Sequence, residues 1–530
     1  MAGVMIAAPG SGSGKTMVTC GLLTLLKRKG YNPAAFKCGP DYIDGHFHRS
    51  VLGVETGSLD SFFETGAHLR EKLSLSMERH FAVAEGVMGY FDGMGGVSIQ
   101  GSSFEIGAML GLPVILVVDG RGASLSLMAL IQGFLEYDVT AEICPEEKAH
   151  TGVRCDAECT AGMGEKEWEK GGQCHKECEK KYHEKNARIT QENIHENSDC
   201  CDKAGKYRNN IKGIFFNRMS PMIYNRIKPL VEERFQIPVI GYLPELPFLQ
   251  VGSRHLGLML PDEIDGIREQ LEQLADRMDD TLEWEPLLKI ADIAGSRDRA
   301  VRVRAEAGGV PRFRLGIAMD EAFCFYYEDN LRAMEQAGAR LVYFSPLHQK
   351  ELPKGLDGLI LGGGYPENYG EALAANRTMR DSVAAAAASG MPIMAECGGY
   401  LYLLDSLEGA DGREYPMAGV LRGRGYRAGK TGRFGYITLE ASRSIPFLRE
   451  GEEIKGHEFH YWDCVCGADE FCMTAVKPKG GRSWPCMRTV KQVMAGFPHL
   501  YYPSCPELVQ RFAGQCVEYG KEHDGKEYEL

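Results

Sequence analysis

Val4-Met-Ile-Ala-Ala-Pro-Gly-Ser-Gly-Ser-Gly-Lys-Thr16 runs from an apolar stretch through a glycine-serine turn to a Lys-Thr pair. The next stretch, Thr16–Lys29, repeats apolar residues at helical spacing. The pattern is strand, loop, helix. Such a loop aims backbone N–H groups at a phosphate, and the start of the helix adds a favourable dipole. Gly12, Ser13, Gly14, Lys15 and Thr16 are therefore the expected phosphate-binding residues. Lys15 would reach the terminal phosphates and the Thr16 hydroxyl would face Mg²⁺. The strict G-x-x-x-x-G-K-[ST] spacing fails at one place, where Pro9 stands for glycine.

Further short apolar runs follow in the same style. Ala34–Lys37, Phe81–Glu85, Pro113–Asp119, Gly213–Asn217 and Val239–Leu243 read as buried strands between helices. That alternation predicts a parallel α/β sheet. Carboxylates cluster at its strand ends: Asp41 and Asp44 after the second run, Asp60, Glu85 and Asp92. Ligands of open parallel sheets bind at that edge.

A second α/β pattern begins at Phe313. Arg314–Ala318, Ala339–Phe344, Leu356–Leu361 and Pro392–Glu396 read as strands, with Tyr327–Ala337 a helix. Strand-like segments return at Tyr436–Leu439 and Val493–Phe497. The expected organisation is a phosphate-loop domain over residues 1–250, a linker over 251–312 and a second domain over 313–530. Within the linker, Glu263–Met278 reads as an amphipathic helix and Asp279–Arg312 as a charged connection.

Residues 144–210 break the pattern. This stretch holds seven Cys but only seven Val, Ile, Leu, Met, Phe, Trp or Tyr. It cannot bury much of a core and reads as an insertion. Cys155 and Cys159, Cys174 and Cys178, and Cys200-Cys201 could bind zinc, with incidental thiols on a surface loop the plainer reading. Cys464, Cys466, Cys472 and Cys486 are a weaker zinc candidate.

Met394-Ala-Glu-Cys-Gly-Gly-Tyr400 joins an apolar strand to an apolar helix. This is the thiol form of a nucleophile elbow, in which a tight turn exposes the side chain. Helix starts lower thiol pKa values, so Cys397 is expected to be activated. Gly362-Gly-Gly364 ends an earlier strand, and Gly363 and Gly364 are the candidate oxyanion region. The base should be a histidine; His499 and the pair His457/His460 are the candidates.

Composition narrows the function classes. The 530 residues carry a net charge of −13, with no basic run, which argues against a nucleic-acid partner. The longest apolar stretch, Leu112–Val118, is too short to span a bilayer. No signal-peptide pattern opens the chain, so a cytoplasmic protein with mostly reduced thiols is expected among its 17 Cys.

Taken together, the motifs resemble the cobyrinate a,c-diamide synthase family, glutamine-dependent amidoligases of cobalamin biosynthesis. The resemblance covers residues 1–143 and 211–530. It rests on Ser11–Thr16, Phe36–Asp44, Glu85–Gly93, Ser253-Arg-His-Leu-Gly257, Gly362–Glu367, Glu396–Tyr400 and Gly456–Tyr461. It implies a P-loop parallel sheet similar to dethiobiotin synthetase, followed by a class I glutamine amidotransferase domain. It implies ATP, glutamine and a cobyrinate-type tetrapyrrole as small-molecule substrates, with Mg²⁺. Cys397 would attack the glutamine amide, with His499 as base and His457 as runner-up. Many class I amidotransferases have a glutamate two residues after that histidine; Tyr501 stands there, so a Cys–His pair without the acid is expected. By resemblance, Lys37, Asp41, Asp44, Glu85 and Asp92 form the substrate and phosphate site. Thr16, Asp60 and Glu85 are the Mg²⁺ candidates. The alternatives are another corrinoid or a nickel tetrapyrrole as substrate, or a nucleotide-binding regulator with a silent glutaminase domain.

Overall fold

The computed structural model describes residues 2–41, 43–137, 209–247, 249, 266–297, 312–429, 433–467 and 471–524. The cysteine pairs of the 144–210 stretch and the Ser253–Gly257 motif lie outside these residues.

The first half is a seven-stranded sheet. Its strands are β1 (Ala2–Ala7), β2 (Pro33–Cys38), β3 (Glu55–Leu59), β4 (Phe81–Glu85), β5 (Val114–Asp119), β6 (Ile211–Asn217) and β7 (Val239–Tyr242). All pairs are parallel and the order is β3-β2-β4-β1-β5-β6-β7. Strands of this kind are buried on both faces, which is why they read as continuous apolar runs. The order reverses direction at β1, so the loop after β1 sits where such sheets bind ligands.

One face packs on the helices Lys15–Arg28 and Ile43–Leu52, and also on Ile267–Asp279 and Trp284–Arg297. Ile267–Asp279 is the expected amphipathic helix, and Trp284–Arg297 is a helix where a charged connection was expected. Leu287 and Ala291 are fully buried and Ile290 nearly so. Their i, i+3, i+4 spacing is hidden among charged neighbours, and the chain after residue 266 completes the first domain's core. Gly21 allows this approach: a Cβ there would lie 2.9 Å from the Met278 side chain.

The second half centres on a ten-stranded mixed sheet. Five strands are parallel, in the order Ala339–Phe344, Phe313–Ala318, Gly358–Leu361, Ile393–Glu396, Val493–Gly496. The sheet continues antiparallel through Ser483–Val490, Phe471–Val476, Phe434–Ala441, Glu453–Phe459 and His499–Leu500. Val493–Gly496 and His499–Leu500 are almost contiguous in sequence yet stand five places apart in the sheet. This part of the sheet therefore curls back on itself and returns His499 to the neighbourhood of Cys397.

β3 was not recognisable as a strand, and the interface between the halves explains its polar sequence, Glu-Thr-Gly-Ser-Leu. β3 is an edge strand covered by the second domain rather than by water. Ser58 Oγ donates to Asp329 at 2.7 Å and Arg332 bonds Glu55 at 2.7 Å. Just beyond β3, Phe63 stacks on Tyr501 with ring centroids 4.6 Å apart. No helix among the described residues is long and apolar enough to cross a membrane.

Candidate functional site

The phosphate loop has the expected form. Gly14 adopts φ 97° just before the helix, a conformation that favours glycine. A Cβ at Gly14 would also lie 2.0 Å from the Asn217 side chain. Asn217 donates to the Ser13 carbonyl at 2.9 Å and Arg218 to the Gly12 carbonyl at 2.6 Å, so the end of β6 braces the loop. Burial lowers the Lys15 pKa to about 8, with Glu85 the chief charge opposing the shift. In this structure Lys15 Nζ is hydrogen-bonded to the Met88 carbonyl.

Thr16, Lys37, Asp41, Asp44 and Glu85 converge. Thr16 Oγ1 donates to Glu85 Oε1 at 2.6 Å, and Lys37 Nζ lies 2.8 Å from the same oxygen. Lys37 also pairs with Asp44, and lies 3.7 Å from Asp41. Burial works against the Lys37 charge, yet Asp44, Glu85 and Asp41 hold its pKa well above the ordinary value. Burial first, then Asp44, pushes Asp41 up to about 7. Asp41 Oδ1 also accepts from the Ile43 and Asp44 amides at the start of the following helix.

Two expected members stand apart. Asp92 accepts from the Gly89 amide at 2.9 Å and shapes the turn beside Pro9. Asp60 was grouped with Thr16 and Glu85, but the structure does not bring it to them. Its Oδ1 accepts from the Phe62 amide and its Oδ2 from the Tyr436 hydroxyl at 2.7 Å, so it faces the second domain. Thr16 and Glu85 do fit Mg²⁺. Glu85 is fully buried and its Oε2 has no hydrogen-bond partner. Mg²⁺ commonly takes only one or two protein oxygens and completes its shell with phosphate and water. No cluster of three or more His, Cys, Asp or Glu suited to a metal occurs among the described residues, the Cys464–Cys486 group included.

The cysteine elbow is built as its sequence suggested. Cys397 has φ 48° and ψ −103°, between the strand Ile393–Glu396 and the helix Gly398–Leu403. A Cβ at Gly399 would lie 2.1 Å from the Leu361 carbonyl oxygen, and one at Gly398 2.9 Å from the Gly364 amide nitrogen. Glycine at both places lets the elbow close on the glycine-rich strand end. Burial opposes the expected thiol activation: it outweighs the short helix and raises the Cys397 pKa.

His499 is buried against Gly363, where a Cβ would lie 2.3 Å from its Cε1. Burial lowers its pKa to about 3, helped by His457 and His460. His457 pairs with His499 in strand register, and burial takes it to about 3 as well. His460 is committed elsewhere, 2.8 Å from Glu458 and stacked on Phe497. The Tyr501 hydroxyl bonds Glu64 across the domain interface and Asp329 within its own domain. Sequence reasoning assigned no role to Glu396, yet its Oε2 lies 4.0 Å from His499 Nδ1.

A cavity of about 450 Å³ joins the two halves. Cys397, His499, His457 and Gly364 line one side; Asp41, Val87 and Met88 line the other. Tyr436, Phe434, Phe459, Lys477 and Lys479 also line it.

Residues 4–256 match the CobQ/CobB/MinD/ParA nucleotide binding domain family, and residues 314–504 match the CobB/CobQ-like glutamine amidotransferase domain. The chain is 30% identical over 523 residues to a cobyrinate a,c-diamide synthase of Caldanaerobacter subterraneus subsp. tengcongensis, covering 98% of this chain and 99% of that protein. The chain belongs to the cobyrinate a,c-diamide synthase family. A second such synthase, from Listeria innocua, is 32% identical and covers 96% of this chain and 98% of its own. A third, from Salmonella typhimurium, is 31% identical with 96% of each chain covered. These matches extend over both domains.

Proposed function

We propose that the chain amidates the a and c carboxylates of cobyrinate, using ATP and glutamine, through an acyl-phosphate intermediate in cobalamin biosynthesis. The supporting observation is that one cavity is lined both by Cys397 and His499 and by Asp41 and Met88. The substrates and cofactors, ATP, glutamine, a tetrapyrrole and Mg²⁺, are all available in the cytoplasm, the location that goes with this reading.

His499 is neutral at working pH and takes the Cys397 proton. The thiolate attacks the side-chain carbonyl of glutamine, and the oxyanion forms beside the Gly363 and Gly364 backbone. The imidazolium returns its proton to the departing ammonia, leaving a glutamyl thioester for water to cleave. Ammonia enters the shared cavity.

In the first domain, the loop amides and Lys15 hold the ATP phosphates. A carboxylate is a poor acyl donor, and phosphorylation gives it a leaving group. Mg²⁺ would be held by Thr16 and Glu85 and would neutralise charge on the transferring phosphoryl group. Lys37 balances Asp44 and Glu85 beside it. Ammonia then displaces phosphate to form the amide.

Mass spectrometry of cobyrinate incubated with the enzyme, ATP, Mg²⁺ and glutamine tests this reading. One or two added amides are expected. Glutamine hydrolysis without amide formation on any tetrapyrrole overturns it.

A further inference from the structure

The carboxylate nearest His499 comes from the residue immediately before the nucleophile. Glu396 ends the strand Ile393–Glu396 and is buried. Its Oε2 lies 4.0 Å from His499 Nδ1. Its Oε1 is buried with no hydrogen-bond partner. The carboxylate accepts from the Leu500 amide and the Tyr502 hydroxyl. Both donors belong to the segment that carries His499, so the carboxylate is held against that segment from either side.

We propose that Glu396 is a positioning residue of the glutaminase site, receiving the Nδ1–H of His499 and leaving Nε2 to take the Cys397 proton. This rests on Cys397 and His499 being the glutaminase pair. An imidazole with two equivalent nitrogens is an indifferent base; an acceptor at Nδ1 fixes the tautomer and the ring plane. Gly363 pins the ring on the Cε1 side. Tyr501, two residues after His499, is engaged with Glu64 and Asp329 instead. A side-chain adjustment of roughly 1 Å brings 4.0 Å into hydrogen-bonding range, as expected for a site that tightens when substrate binds.

The proton balance closes without another reactant. The Sγ–H bond breaks and the proton moves to Nε2. The imidazolium then has one N–H toward the thiolate and one toward Glu396. The Nε2 proton leaves with ammonia. Burial raises the Glu396 carboxyl to about 8, and a neighbouring imidazolium opposes this by favouring the ionised form. The other titratable groups facing the pair include His457, His460, Tyr502, Tyr326 and Tyr327 around His499 and Glu396, and Glu367 and Glu458 around Cys397.

The test compares Glu396→Gln and Glu396→Asp in the full chain. Glutamine-dependent and ammonium-dependent amidation are measured beside the pH profile of Cys397 alkylation by iodoacetamide. Glu396→Gln should lower glutamine-dependent kcat ~100-fold or more, while ammonium-dependent kcat stays within about twofold. It should also displace the alkylation profile, and Glu396→Asp should retain more glutamine use than Glu396→Gln. Unchanged glutamine use, or an equal loss of both activities, overturns the proposal. If Glu396→Gln does not fold, the Asp variant decides: an alkylation profile identical to that of the parent overturns the proposal and a displaced one supports it. Cys397→Ala separates the two levels. If that variant still uses glutamine, the glutaminase assignment itself fails, whatever Glu396 does.

Discussion

The Tyr436 hydroxyl donates to Asp60 Oδ2 at 2.7 Å, and this bond links the strand ends of one domain to the sheet of the other. Tyr436 also lines the shared cavity. Its ring lies 4.6 Å from that of Phe62, and Lys455 Nζ donates to the Phe62 carbonyl at 2.6 Å. Burial raises Asp60 to about 6, against the hydrogen bonds from Tyr436, Phe62 and Phe63. Asp60 thus fastens the cavity wall.

Tyr436→Phe leaves a buried carboxylate oxygen without its donor, at a cost of about 1–3 kcal/mol. Urea unfolding should show a loss in that range. Glutamine-dependent activity should fall more than ammonium-dependent activity, because the wall between the sites loosens. An unchanged midpoint and an unchanged ratio of the two activities would count against the interface account.

The two sites should be separable. Cys397→Ala should abolish glutamine use and keep ammonium-dependent amidation. Lys15→Ala should abolish both, since either nitrogen source needs the activated carboxylate. Steady-state assays with each donor check this. A folded Cys397→Ala variant that loses both activities would contradict it.

Two buried histidines set a limit at acid pH. His457 and His499 are held near 3, below the ordinary value of 6.5. Both states are neutral above 6.5. As pH falls from about 6.5 toward about 3, the unfolded chain takes up protons that the folded chain does not, and stability is lost. Each such histidine contributes a slope of at most about 1.4 kcal/mol per pH unit. The raised pKa values of Glu396 and Asp41 act oppositely, costing stability as pH rises from their unfolded values toward about 8 and about 7. His457→Gln should therefore make the stability loss between pH 6 and pH 5, roughly the steep part of the histidine window, shallower by one proton. Urea titrations at the two pH values measure this, and an unchanged slope would refute the assignment.

Deleting residues 146–208 should preserve both activities. β5 and β6 pair directly from Ile115↔Gly213 to Asp119↔Asn217, and the crossover helix Ser126–Glu136 precedes the deletion. Soluble yield and ammonium-dependent turnover check this. An insoluble or inactive product would show that the segment supports the scaffold.

The sequence made legible those parts whose local chemistry is distinctive. The loop at Gly12–Thr16, the strands ending at Glu85 and Glu396, and the elbow at Cys397 follow from apolar runs meeting glycine. The parts it hid depend on the partner domain. β3 is polar because Asp329 and Arg332 cover it. Trp284–Arg297 looked like a charged connection because only one face is apolar. Asp60 resembled its neighbours at the strand ends until Tyr436 appeared opposite it. Glu396 was quoted within a motif, but nothing local could show that His499 returns to it across a curled sheet. The expected lowering of the Cys397 thiol is opposed by burial, which a six-residue helix does not offset.

The central claim is that one cavity carries ammonia from Cys397 to the activated carboxylate. The most direct measurement supplies glutamine isotopically labelled at the amide nitrogen together with an excess of unlabelled ammonium, and reads the isotope in the product amide. The account predicts that the amide retains the glutamine label. A product whose label is diluted to the ratio of the bulk solution would contradict it.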